Sequence, residues 1–208
     1  MRLKIYNYIK YYGEEGKDKS FHVEIKPGYT CIVGPNGTGK TTMLEQIKDY
    51  CKSRNNEFIM LSYDNLRDGS NRQYGKFLDH GRFEMIANLT SSSEGEGIVI
   101  NLGEFATSCG KATAKAIESN KKLVILLDGI DSGTSIDKIY SFKDYFVKTI
   151  LDHCYSNGVE VYIISTANSY AMVEDGVDCI IASNARHRKF RGYKDFKRFI
   201  LNNRKYKE

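Results

Sequence analysis

Nine consecutive residues constrain this chain more than any other stretch: Gly34-Pro35-Asn36-Gly37-Thr38-Gly39-Lys40-Thr41-Thr42. They match G-x-x-x-x-G-K-[ST] in full. An apolar run, Tyr29-Thr30-Cys31-Ile32-Val33, comes before them. After them Met43, Leu44, Ile47 and Tyr50 recur at helical spacing. The physics accounts for each residue type. Glycines let the backbone wrap so that successive N–H groups point at phosphate oxygens. A helix beginning near Lys40 turns its positive dipole end to the same place. Lys40 is then placed to reach the terminal phosphates of a nucleotide, and the Thr41 hydroxyl to hold Mg²⁺. Gly34, Pro35, Asn36, Gly37, Thr38, Gly39, Lys40, Thr41 and Thr42 are therefore the nucleotide-binding candidates.

Such a loop needs an acid at the end of a later apolar strand. Asp128, closing Leu123-Val-Ile-Leu-Leu-Asp, is the strong candidate for that role and for the second metal ligand beside Thr41. Its run reads as a strand buried on both faces of a parallel sheet. The stretches EFIMLSY, VEVYIIST and DCIIAS read as further strands. Ile98, Leu102, Phe105, Cys109, Ala112 and Ala116 step as one face of a long helix, and Ile136, Ile139, Phe142, Phe146 and Ile150 mark another. Two alternating segments, LKIYNYI and FHVEI, come first. The pattern predicts an α/β P-loop NTPase with a mostly parallel central sheet and N-terminal antiparallel strands.

Composition fits that class. Of 208 residues, 41% are hydrophobic and 27% charged, the balance of an ordinary globular protein. No apolar run approaches the roughly 20 residues that span a bilayer, and the first residues lack a secretory pattern. The expectation is a cytoplasmic protein without membrane attachment. Five scattered cysteines and four histidines offer neither a disulfide framework nor a zinc site. The net charge of +5 is uneven: ten lysines and arginines against two acids lie from Ala185 onward. The chain accordingly divides into an ATPase domain over 1–184 and a basic helical tail over 185–208. In that tail Tyr193, Phe196, Phe199 and Ile200 share a helical face. It reads either as a phosphate-neutralising surface for DNA or RNA, as a packed helix with a solvated basic side, or as a contact for an acidic protein partner.

The segment SFHVEIKPGYTCIVGPNGTGKTT resembles the N-terminal lobe of ABC-type ATPases, and Asn36 is typical of that superfamily. The resemblance implies a signature element, L-S-G-G-Q-like, opening a helix ahead of the strand that ends in Asp128. Ser92-Ser93-Glu94-Gly95-Glu96 aligns with it: Ser93 on its serine, Gly95 on its second glycine, Glu96 on its final polar residue. A final Glu looks like the chromosome-maintenance and repair branch, the SMC, RecN and RecF-like ATPases. Independently, Ser93-x-x-Glu96 before an apolar-periodic helix is a capping-box pattern, whose helix end suits a γ-phosphate. The resemblance also implies a homodimer that sandwiches two ATP·Mg²⁺, each held by Lys40 of one chain and Ser93 of the other. Ser132, Ser135 and Asp137 would be the contacts across that interface. Small ATPases of bacterial or phage genomes look similar.

Two departures from the family pattern bear on activity. Gly129 stands where the family has a catalytic Glu. Either Asp131 polarises the attacking water, or the protein hydrolyses ATP slowly and works as an ATP-controlled clamp. No switch histidine follows VEVYIIST; Asn168, Ser165 or Thr166 is left to meet the γ-phosphate. Gln73 lies where a Q-loop glutamine would, in a stretch that equally suits a surface loop. The expected function is ATP binding and hydrolysis in a nucleic-acid-associated process of repair, phage or defence. The alternatives are the ATP-binding subunit of a transporter, a P-loop kinase of a small molecule, and a weakly hydrolysing ATP-gated binding module.

Overall fold

The computed structural model describes residues 1–6, 20–65 and 94–203, with residues 94–104 described by their backbone alone. Strands β1 (Arg2–Tyr6) and β2 (Ser20–Glu24) form an antiparallel pair separate from the main sheet. The main sheet has six strands in the order β4-β5-β6-β3-β7-β8. Its members are β3 (Gly28–Val33), β4 (Phe58–Asp64), β5 (Lys122–Asp128), β6 (Val161–Ala167), β7 (Asp178–Ile181) and β8 (His187–Arg188). Every neighbouring pair is parallel except β7 with β8. The chain is thus α/β with a mostly parallel sheet and N-terminal antiparallel strands, as its pattern of runs predicts.

The apolar runs of β3, β5 and β6 are continuous because helices or strands cover both of their faces. Side chains alternate along β5. Leu123, Ile125 and Leu127 join one core cluster; Val124 and Leu126 join the other. The second cluster holds Leu3, Ile5 and Val23 of the strand pair together with Met43, Leu44 and Ile47 of α1 (Lys40–Lys52). Reciprocal hydrogen bonds tie α1 to β1: Tyr6 N–H donates to Gln46 Oε1 at 2.7 Å, and Gln46 Nε2 donates to the Tyr6 carbonyl at 2.9 Å.

The first cluster is roofed by α2 (Glu94–Ser119), α3 (Ile136–Ser141), α4 (Lys148–Ser156), α5 (Tyr170–Val173) and α6 (Tyr193–Asn202). A π-helical turn, Phe142–Val147, links α3 to α4. Cys109, Ala112 and Ala116 of α2 are buried as their spacing predicts. Ile136 is not: it begins α3 and is 64% exposed, because the turn before it carries the first helical residue into solvent.

Residues 187–202, basic in sequence, supply the last strand of the sheet and a helix packed into the core. Phe190, Phe196 and Phe199 lie within the first cluster. Arg188 stacks over the rings of Phe190 and Phe199 and pairs with Asp195 at 2.7 Å. Tyr193, expected on the same apolar face, is largely exposed and meets Tyr170 edge to face. Lys194, Lys197 and Arg198 remain on the solvent side of α6.

Candidate nucleotide-binding site

Parallel strands place their carboxyl ends along one edge of the sheet, and ligands of such folds sit against that edge. Here the ends of β3, β4, β5 and β6 converge on a cleft of about 420 Å³. The phosphate loop joins β3 to α1 and forms one wall. Its turn is held from within: Thr38 Oγ1 donates to the Pro35 carbonyl at 2.7 Å. Gly34 is required there, since a Cβ would lie 2.5 Å from Thr38 Oγ1. Asn36, Gly37, Gly39, Lys40, Thr41 and Thr42 line the cleft. Gly34, Pro35 and Thr38 shape the loop behind them.

Lys40 folds back over its own loop and donates to the carbonyls of Gly34 at 2.8 Å and Pro35 at 3.3 Å. Burial pushes its ammonium below the usual lysine range, while Asp131 and Asp128 act in the opposite direction. The first N–H groups of α1 have no partners within the helix and face the same space. Anionic oxygens entering the cleft would meet these donors and the lysine together.

Asp128 ends β5 in the opposite wall. Thr166 Oγ1 donates to Asp128 Oδ1 at 2.6 Å and accepts from the Gly129 N–H at 2.9 Å. The alternation of β6 separates the two polar candidates of that strand. Thr166 faces Asp128 and the cleft. Ser165 faces the other way, 2.9 Å from the Tyr29 hydroxyl and 3.3 Å from Cys31 Sγ in the first cluster. Burial pushes the Cys31 thiol up to about 11. Asn168 lines the cleft just beyond β6.

Asp131 is 8% exposed and spends both oxygens on the segment after β6. Oδ2 accepts from the backbone N–H groups of Asn168 and Ser169, each at 2.6 Å, and Oδ1 accepts from Asn168 Nδ2 at 3.2 Å. It anchors Asn168 beside the cleft. Gly129 has φ +66°, a conformation that L side chains rarely adopt. A side chain at this position would strain the turn after Asp128. Ser132 lines the cleft and its carbonyl accepts from Asn65 Nδ2 at 3.2 Å. Ser135 precedes α3, and its hydroxyl holds the exposed Asp137 carboxyl below the usual range.

Ser92, Ser93 and Gln73 lie outside the described residues, as do Arg204, Lys205 and Lys207. Gly95 and Glu96 fall in the first turn of α2, which begins at Glu94.

The structure adds one cleft residue to the candidates drawn from motif and spacing. Asp64 ends β4 and lines the same cleft. Its signal was present: EFIMLSYD, like LVILLD, is an apolar run closed by Asp. The oxygen donors of Thr41 and Asp128 suit a hard cation such as Mg²⁺. Among the described residues no group of three or more His, Cys, Asp or Glu side chains could hold a metal ion by itself. No helix among them is long and apolar enough to cross a membrane.

A family model described as an AAA domain matches residues 2–122. No curated protein matches the sequence. Among solved structures, the chain is similar to the crystal structure of a nucleotide-free ATP-binding cassette from an ABC transporter. The identity is 13%, the TM-score 0.42, and the match covers 96% of this chain and 95% of that one.

Proposed function

Because the chain belongs to the AAA domain family, we propose that its cleft binds ATP with Mg²⁺ and hydrolyses it in an ABC-type dimer. One observation carries this reading: the complete phosphate loop faces Asp128 and Thr166 across a single cleft. The loop amides and Lys40 bind and orient the β and γ phosphates. Thr41 and Asp128 would hold the cation, which neutralises phosphate charge when bound. Thr166 fixes the Asp128 carboxylate by occupying one oxygen, which leaves the other for the cation. Asn168, held by Asp131, is placed to meet the γ-phosphate.

The second half of the site comes from another copy of the chain. Gly95 and Glu96 lie in the first turn of the long helix α2, just after Ser93 in the sequence, and the helix dipole favours an anion at that end. ATP bound at Lys40 of one copy is capped by this end of its partner, and the nucleotide closes the dimer. Gly129 brings no carboxylate to the turn after Asp128, so a base for hydrolysis has to come from elsewhere in the site. The exposed Lys194, Lys197 and Arg198 of α6 favour a nucleic-acid-associated role of the kind served by SMC, RecN and RecF-like ATPases. A cytoplasmic location in a bacterial or phage setting is part of the same reading.

Light scattering with MgATP tests it. Wild type should double in mass with ATP, whereas Ser93→Arg should bind ATP and remain monomeric. A Ser93→Arg variant that dimerises normally contradicts the signature assignment.

A further inference from the structure

The proposed chemistry lacks a carboxylate to take a proton from the attacking water. Gly129 cannot supply one. Asp131 is nine-tenths buried, and both its oxygens are spent on Asn168 and Ser169. Asp128 is held by Thr166 and assigned to the cation. Among the described residues, Asp64 is the other carboxylate that lines the cleft.

Its position follows from register. β4 and β5 are parallel neighbours, and Asp64 pairs with Asp128 as the last residue of each strand. Registered partners on adjacent strands project to the same face and lie about 4.8 Å apart. That face can be identified along both strands. Phe58 and Met60 of β4, with Val124 and Leu126 of β5, pack on the cluster that contains α1. Asp64 and Asp128 continue those two rows past the core, to the side where Lys40 and Thr41 begin α1. Both then line one cleft with Lys40, Thr41 and Thr166. Carboxylates side by side would repel one another, and Lys40 and a bound cation offset that repulsion.

We propose that Asp64 is the catalytic base, a role that rests on the ATP-binding reading above. The oxygen of a water held by Asp64 attacks the γ-phosphorus and forms the new P–O bond. The bond from that phosphorus to the β,γ-bridging oxygen breaks, and its electron pair leaves with ADP. The water proton passes to the Asp64 carboxylate and from there to solvent. Products are ADP and inorganic phosphate. The neighbouring strand thereby supplies the group absent from the turn after Asp128.

The test is single-turnover ATP hydrolysis with the enzyme in excess, beside calorimetric MgATP affinity, for wild type, Asp64→Asn and Asp64→Glu. Asp64→Asn should lose about 100-fold or more in rate and keep its MgATP affinity within about threefold, which also reports that it folds. Asp64→Glu should retain a rate well above that of Asp64→Asn. Asp64→Asn hydrolysing at the wild-type rate overturns the proposal while the ATP-binding reading stands. Affinity and rate lost in parallel also overturn it, since Asp64 would then be a binding group. Wild type that binds MgATP without hydrolysis overturns it as well. Failure of wild type to bind MgATP instead removes the reading on which the proposal rests.

Discussion

Two turns at the same edge of the sheet carry different chemistry. The turn after β3 carries every residue of a phosphate loop, and its glycine at 34 sits where a Cβ would collide with Thr38. The turn after β5 follows Asp128 with Gly129 in a left-handed conformation. Binding and hydrolysis make different demands. A phosphate loop works through backbone amides, so its geometry tolerates few side chains. A base works through one carboxylate, which any strand ending at the cleft can present. On the proposed reading, nucleotide binding and turnover are supplied by different strand ends of one sheet.

Three variants sharpen that contrast. The largest expected loss of stability is from Asp131→Ala, which strips the acceptor from the N–H groups of Asn168 and Ser169. Two buried donors left unmet cost roughly 2–4 kcal/mol, readable by urea denaturation. A loss under ~1 kcal/mol would show that the β5 turn is not held as described. Next, Gly129→Ala should cost roughly 1–2 kcal/mol from the left-handed backbone alone. The added Cβ meets only ordinary contacts at 3.7 and 3.8 Å. An unchanged midpoint would mean the turn accepts a side chain, and the missing acid would then not be built into its backbone. Smallest is the effect of neutralising Lys194, Lys197 and Arg198 together to Gln. Stability should stay within ~0.5 kcal/mol, while the salt slope of any nucleic-acid binding falls by up to about 0.9 per charge. An unchanged slope removes α6 from the nucleic-acid reading.

Much of this was legible before folding was considered. The strands are apolar runs, the phosphate loop is a full motif, and Asp128 closes its run. What stayed hidden depends on neighbours. Asp64 gains meaning only when β4 is placed beside β5, although β4 precedes β5 by more than fifty residues in the chain. The choice between Ser165 and Thr166 needs the face of β6, which its fully buried sequence does not mark. In residues 185–202, Phe196 and Phe199 share the helical face that the spacing marks, whereas Phe190, ahead of that helix, joins the core with no periodic signal. The two-residue β8 and the π-helical turn are too short or too irregular for a periodic signal.

The central claim is that the loop from Gly34 to Thr42 binds MgATP through Lys40. Isothermal titration of wild type and Lys40→Ala with MgATP tests it most directly. Wild type should saturate at one nucleotide per chain, and Lys40→Ala should bind about 100-fold more weakly, as loss of ~3 kcal/mol of charge-assisted hydrogen bonding implies. Equal affinity in the two proteins, or no saturable binding in wild type, would contradict the account.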